Sequence, residues 1–120
     1  KNKVLKRLYM NKNNFSDYGM MMLCEGLQRN RTLTTLDVSM NGLSERSAKK
    51  LAVLLEESGL STVNMSDNAI GDEGVRAIGD ALKNNASVTK LVLENVAMTV
   101  EGIDELAVML CSNSSLQSLV

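Results

Sequence analysis

The sequence is written four times over. A pattern of apolar-x-x-apolar-x-apolar-x-x-Asn begins at Leu5, Leu33, Leu60 and Val88, and starts again at Leu116, in steps of 27 or 28 residues. The first copy reads Leu5, Leu8, Met10, Asn13 and the second Leu33, Leu36, Val38, Asn41. The third reads Leu60, Val63, Met65, Asn68; the fourth reads Val88, Leu91, Leu93, with Val96 where Asn is due. Self-similarity at this period marks a stacked array rather than a fold with one central core.

Each copy has two halves of different periodicity. The first alternates apolar and polar residues, the two-residue period of a short strand. The second places apolar residues three and four apart, on one face of a helix. Those residues are Met20, Leu23, Leu27; Ala48, Leu51, Leu55; Val75, Ile78, Leu82; and Ile103, Leu106, Leu110. Gly19, Gly74 and Gly102 recur before that face, and Asn30, Asn85 and Asn113 recur near its end, where chain reversal is expected. The spacing predicts strands near 7–10, 35–38, 62–65 and 90–93, and helices near 17–30, 44–57, 72–84 and 100–112. Neither half can bury its apolar face alone, so successive copies must stack, strands forming a parallel sheet and helices the opposite layer. Composition agrees. With no Pro, Trp or His, medium aliphatics must build the core.

This repeat resembles the ribonuclease-inhibitor class of leucine-rich repeats, and the resemblance spans essentially the whole chain. It implies an α/β leucine-rich-repeat solenoid, a right-handed curved stack with short parallel strands on the concave side and helices on the convex side. The repeats are placed at 5–32, 33–59, 60–87 and 88–115, with a fifth starting at 116, and the whole is expected to be a segment of a longer protein. The class includes ribonuclease inhibitor, NOD-like receptors, Ran GTPase-activating proteins, tropomodulin-like actin regulators and flagellar proteins. What it implies in common is a cytoplasmic recognition scaffold, cytoskeletal or flagellar settings included. It also implies that the column Asn13, Asn41, Asn68 turns inward to bond loop backbone. Val96 cannot do so, and Asn95, one residue earlier, is the candidate substitute.

The candidate binding surface is the open face of the sheet. Side chains between the apolar strand positions should point there: Arg7, Tyr9 and Asn11; Thr35, Asp37 and Ser39; Thr62, Asn64 and Ser66; and Lys90, Val92 and Glu94, with Ser118 beyond. Tyr9 and Arg7 are residue types favoured at interface hot spots. The run Met20, Met21, Met22 is expected to give one residue to the core and expose at least one neighbour.

Several function classes are excluded or disfavoured. There is no phosphate-binding glycine loop, no catalytic constellation and no metal-ligand spacing, so no enzyme, metal or cofactor is expected. Lys1, Lys3, Lys6, Arg7 and Lys12 make the start basic, but net charge is -1 and nothing resembles a nucleic-acid motif. No apolar run is long enough for a membrane span. A Ran-type activator would need catalytic loop residues in the early repeats and an acidic tail, and neither is recognisable. Cys24 and Cys111 lie in the first and fourth helices, too far apart for a bridge. The reading is a scaffold that holds a protein partner; the alternatives are a ligand-sensing domain of the NOD-like receptor kind or a part of a cytoskeletal or axonemal assembly.

Overall fold

The computed structural model describes residues 2–120. Lys1, counted above in the basic start, lies outside the described residues. Strands β1 (Arg7–Tyr9), β2 (Thr35–Asp37), β3 (Thr62–Asn64), β4 (Lys90–Val92) and β5 (Ser118–Leu119) alternate with helices α1 (Ser16–Leu27), α2 (Glu45–Glu57), α3 (Gly71–Leu82) and α4 (Val100–Ser112). All strand pairings are parallel and in sequence order. The register runs Arg7, Thr35, Thr62, Lys90, Ser118 across the sheet, so equivalent residues of each repeat stand side by side. Helix packs on helix in the same order. The solenoid inferred from the repeat is therefore the observed fold.

The core is a stack of equivalent layers. Leu36, Val63 and Leu91, the middle residues of β2 to β4, are fully buried, as are Met20, Leu51 and Ile78 from the helices facing them. Gly74 holds α3 close to its neighbours. A Cβ there would lie 2.8 Å from Cβ of Ile70 and 3.0 Å from Cβ of Ala48. The Met run divides as expected, with Met20 buried and Met21 and Met22 exposed.

The fourth apolar stripe needs correction. Leu106 is buried, but Ile103 is 58% and Leu110 48% exposed. Their equivalents Val75 and Leu82 are fully buried because α4 covers α3 on that side. Among the described residues no helix covers α4 there. The residues of α4 that pack inward are instead Gly102, Leu106 and Met109.

Two loop types alternate along the stack. Ser16 and Gly71 open α1 and α3 with φ of 60° and 66°, and their N–H groups donate to the carbonyls of Asn41 and Val96 in the following repeat, both at 2.9 Å. The equivalent residues of α2 and α4, Ser44 and Thr99, are extended N-caps whose hydroxyls accept the N–H of Arg46 and Glu101. Glycine takes the left-handed region at the least steric cost, which suits position 71.

Both thiols are free, Cys24 buried and Cys111 exposed. Burial pushes the Cys24 thiol up to about 11, slightly offset by Lys50, so it stays protonated and shielded at neutral pH. A thiol-reactive dye at pH 7.4 is expected to label Cys111 rapidly and Cys24 only after unfolding. Two rapidly reacting thiols in the native protein would contradict this packing.

Candidate functional site

The open face of the sheet is built by the strand period. Because alternate residues point to opposite sides, Leu8, Leu36, Val63 and Leu91 face the helices while their flanking residues face out. The structure brings the sequence-derived set together in three ordered columns. The first holds Arg7, Thr35, Thr62 and Lys90; the second Tyr9, Asp37, Asn64 and Val92. The third, just past the strands, holds Asn11, Ser39, Ser66 and Glu94.

These residues are not equally available. Arg7, Tyr9, Asn11, Lys90 and Glu94 are exposed, whereas Thr35, Asp37, Ser39, Thr62, Asn64 and Val92 are half-buried. Asp37 and Asn64 are already engaged. One carboxylate oxygen of Asp37 accepts the N–H and hydroxyl of Ser39 at 2.9 and 2.7 Å, and the other accepts the Asn64 amide at 3.4 Å. Asn64 in turn accepts the N–H of Ser66 at 2.9 Å. Ser66 departs from the expectation of an open position. It is only 5% exposed, and its hydroxyl accepts the Glu94 N–H at 3.0 Å. The middle of the face is thus a self-bonded polar floor, and the free groups sit toward β1 and β4.

The asparagine column lies behind this floor. The Asn41 amide donates to the carbonyls of Met10, Val38 and Ser39 at 2.9, 3.0 and 3.0 Å, and its oxygen accepts the Asn13 N–H at 2.7 Å. Asn68 repeats the arrangement, donating to Val38, Met65 and Ser66 and accepting the N–H of Asn41 and Leu43. Asn13, at the exposed start, donates to Met10 and Asn11. Asn95 does not continue the series. Its amide points outward to the Asp67 carboxylate at 3.0 Å, because its φ of 51° turns it to the surface. Val96 fills the inward position as a buried apolar residue. The ladder therefore ends at Asn68.

Two features escaped the sequence reading. One is a row of exposed loop residues bordering the face: Lys12, Met40, Asp67 and Asn95, all with φ between 51° and 61°. Asn and Asp tolerate that region readily, Lys and Met much less, and no local motif announces it. The other is a pair of carboxylates that cap the next repeat's helix. Asp17 accepts the N–H and hydroxyl of Ser44 and the hydroxyl of Ser47. Asp72 accepts the N–H and hydroxyl of Thr99 and the N–H of Gly102. Burial alone would raise the Asp17 carboxyl, but the bonds from Ser44 and Ser47 outweigh it and hold it below the usual range. Thr99 does the same for Asp72.

Comparison with known proteins agrees with this geometry. The family described as Leucine Rich repeat matches residues 1–24, 29–52 and 60–79. Mouse (Mus musculus) ribonuclease inhibitor is 33% identical over 118 residues, covering 96% of this chain and 26% of that protein. NACHT, LRR and PYD domains-containing protein 3 of Mus musculus is 34% identical over 121 residues, covering 98% of this chain and 12% of that protein. The chain thus spans only a minor part of these relatives. Among solved structures, a tropomodulin C-terminal domain from Caenorhabditis elegans superposes with a TM-score of 0.87 at 18% identity, over 98% of this chain and 74% of that one. Leiomodin-1 Actin-Binding Site 2 superposes with a TM-score of 0.85 at 20% identity, over 95% and 68%. At such identities these two likenesses concern the fold alone. Among the described residues no helix is long and apolar enough to cross a membrane.

Proposed function

Because the chain belongs to the leucine-rich-repeat family, in its ribonuclease-inhibitor-like class, we propose that it holds a protein partner on the concave face of its sheet and acts as a scaffold rather than a catalyst. The observation that carries this reading is the chemistry of that face. Its outward positions along the strands are polar or exposed except for the half-buried Val92, and Tyr9 stands 60% exposed beside Arg7 on the first of them. Strands present both residues, so little backbone freedom remains to be lost on binding. Ribonuclease inhibitor, by its name a protein directed at another protein, supports a protein partner.

Size sets a condition on the proposal. Five strands about 4.8 Å apart and about four residues long give a face of roughly 20 by 13 Å, or about 260 Å², short of the ~800 Å² that each partner buries in a stable complex. The loop row of Lys12, Met40, Asp67 and Asn95 extends the surface in the required direction. The settings offered by the names of similar proteins differ, with NACHT and PYD domains beside the repeats in one and actin binding in another. Both fit the same mode of contact.

The test is an affinity measurement on the parent protein with its partner. Joint replacement of Arg7 and Tyr9 by alanine is expected to weaken binding by more than about tenfold. Joint replacement of Arg76 and Asp80, on the convex side, should change it little. The opposite result would place the interface on the helices.

A further inference from the structure

The stack contains a built-in comparison on its convex side. The groove between α1 and α2 and the groove between α3 and α4 are equivalent two repeats apart, but their side chains differ. Across the α3–α4 groove, Arg76 meets Glu105 at 2.9 Å and also approaches Glu73 at 3.8 Å. The corresponding positions of the α1–α2 groove are Met21 for Arg76, Lys50 for Glu105 and Tyr18 for Glu73. An ion-paired surface in one groove is thus replaced in the other by an exposed apolar wall facing a cation. Tyr18 is 74% exposed and Met21 42%. Arg46 and Lys50 form no ion pair among the described residues, unlike Arg76 in the equivalent groove.

The free charges along this groove run from basic to acidic. Arg46 follows Glu45 in the first turn of α2, and Asp17 in the first turn of α1 is taken up by Ser44 and Ser47, while Glu56 and Glu57 end α2 and Glu25 lies near the end of α1. No helix end here carries a base in its last turn. Cations near a helix N-terminus and acids near its C-terminus both oppose the helix dipole, so stability of α2 does not account for the order. Between the ends, Val53 is exposed and a depression of about 100 Å³ runs over Cys24 and Lys50. That is well below the ~300 Å³ at which small-molecule pockets begin. The acidic end would repel a phosphate-rich surface or nucleic acid, so a polyanion fits only half of the groove.

We propose that the α1–α2 groove docks an amphipathic helix of a protein partner, lying parallel to α1 and α2, with acidic residues in its first turn over Arg46 and Lys50, apolar residues against Tyr18, Met21 and Val53, and basic residues in its last turn over Glu25 and Glu56. That order is the one an ordinary helix prefers, since acids favour its N-terminus and bases its C-terminus. Contact along one helix face is an established mode of recognition. This surface lies opposite the sheet face, so it stands or falls independently of the concave reading.

The probe is a synthetic amphipathic helical peptide of about 15 residues, with glutamates first, a leucine stripe and lysines last, set against its charge-reversed counterpart. Binding is followed by fluorescence anisotropy and by the methyl resonances of ¹³C-methyl-methionine protein. The acid-first peptide is expected to bind at least about tenfold tighter than the reversed one, since like charges oppose each other along the whole groove in the latter, and to shift the Met21 methyl. Joint replacement Arg46→Glu and Lys50→Glu leaves the groove acidic at both ends and should abolish the preference. Both residues lie on the helix surface, and an unchanged melting curve would confirm the fold. Equal affinity of the wild-type protein for the two peptides, or shifts confined to Met40 on the loop row, would overturn the proposal. So would cosedimentation with phosphatidylserine vesicles that the double variant abolishes, which would assign the groove to a membrane surface instead.

Discussion

Replacing Asn41 with alanine is expected to destabilise the protein by about 3 kcal/mol, because one buried side chain serves four backbone groups in two repeats. Its amide donates to Met10, Val38 and Ser39, and its oxygen accepts from Asn13. The three carbonyls keep second donors in the Asn13 amide, the Asn68 amide and the Lys12 N–H, so the loss is that of four hydrogen bonds at about 0.5–1.5 kcal/mol each rather than of orphaned groups. The Met10 and Ser39 carbonyls lie at half-buried residues and are open to partial hydration, which holds the total near the lower end. In a domain of this size the loss should lower the melting temperature by roughly 12 °C. Asn13→Ala is the internal control. Its two donor bonds lie at the exposed start of the column, so it should cost about 1 kcal/mol or less. Thermal and urea denaturation followed by circular dichroism measure both. Equal losses at the two positions would mean that the column contributes by composition rather than by burial.

That contrast also bears on how far the sequence could be read. The strands, the helices and the parallel order followed from Leu5, Leu8, Met10 and their copies, because a two-residue period and a three-to-four-residue period each leave a local signature. Met20 was placed in the core by the same phase. Ile103 and Leu110 share that phase and yet are exposed, because helix phase assigns a face, whereas burial depends on what lies against it. Ser66 shows the converse. Its alternation points outward, but the Glu94 N–H, 28 residues later, closes over it. The alternation of loop types was invisible for a related reason. Ser16 and Ser44 occupy the same position of successive repeats with the same side chain, yet Ser16 has a φ of 60° and Ser44 is extended. What separates them is Asp17, which caps the helix that follows Ser44. That partnership spans 27 residues.

For the candidate surfaces, residue type alone carried Tyr9 and Arg7, which the structure leaves exposed at one end of the open face. It could not tell that Asp37 and Asn64 spend their polar atoms on each other and on the loop. The convex groove was less legible still. Lys50 is unremarkable until Glu105, its counterpart two repeats on, is seen paired with Arg76. In a repeat protein the most informative reference for a residue is its own copy in the next layer, and that reference requires the register to be known.

Loss of the Asp17 carboxylate is the second large expected effect, and it carries a pH signature. Asp17→Ala removes the acceptor of three donors, the N–H and hydroxyl of Ser44 and the hydroxyl of Ser47. Ser47 is fully buried, so its hydroxyl has no ready access to water. Discounting for the partial exposure of Asp17, the expected cost is about 2–3 kcal/mol. In the native state the carboxyl is held below its ordinary value, burial opposing and the serine bonds prevailing, and Asp72 is shifted the same way by Thr99 and Gly102. A group whose folded value is depressed contributes stability that is complete above the unfolded value, about 3.9 for an aspartate. That contribution is lost as pH falls through the lower folded value. Wild-type stability should therefore drop as pH falls below about 4. Joint replacement of Asp17 and Asp72 by asparagine removes both titrations and should flatten that part of the curve while lowering stability at neutral pH. The difference between the two melting-temperature profiles over this acid range isolates these two groups from the remaining carboxylates. Parallel profiles would mean that the clamps between successive helices form regardless of charge, and that the alternation of loop types is held by backbone bonding alone.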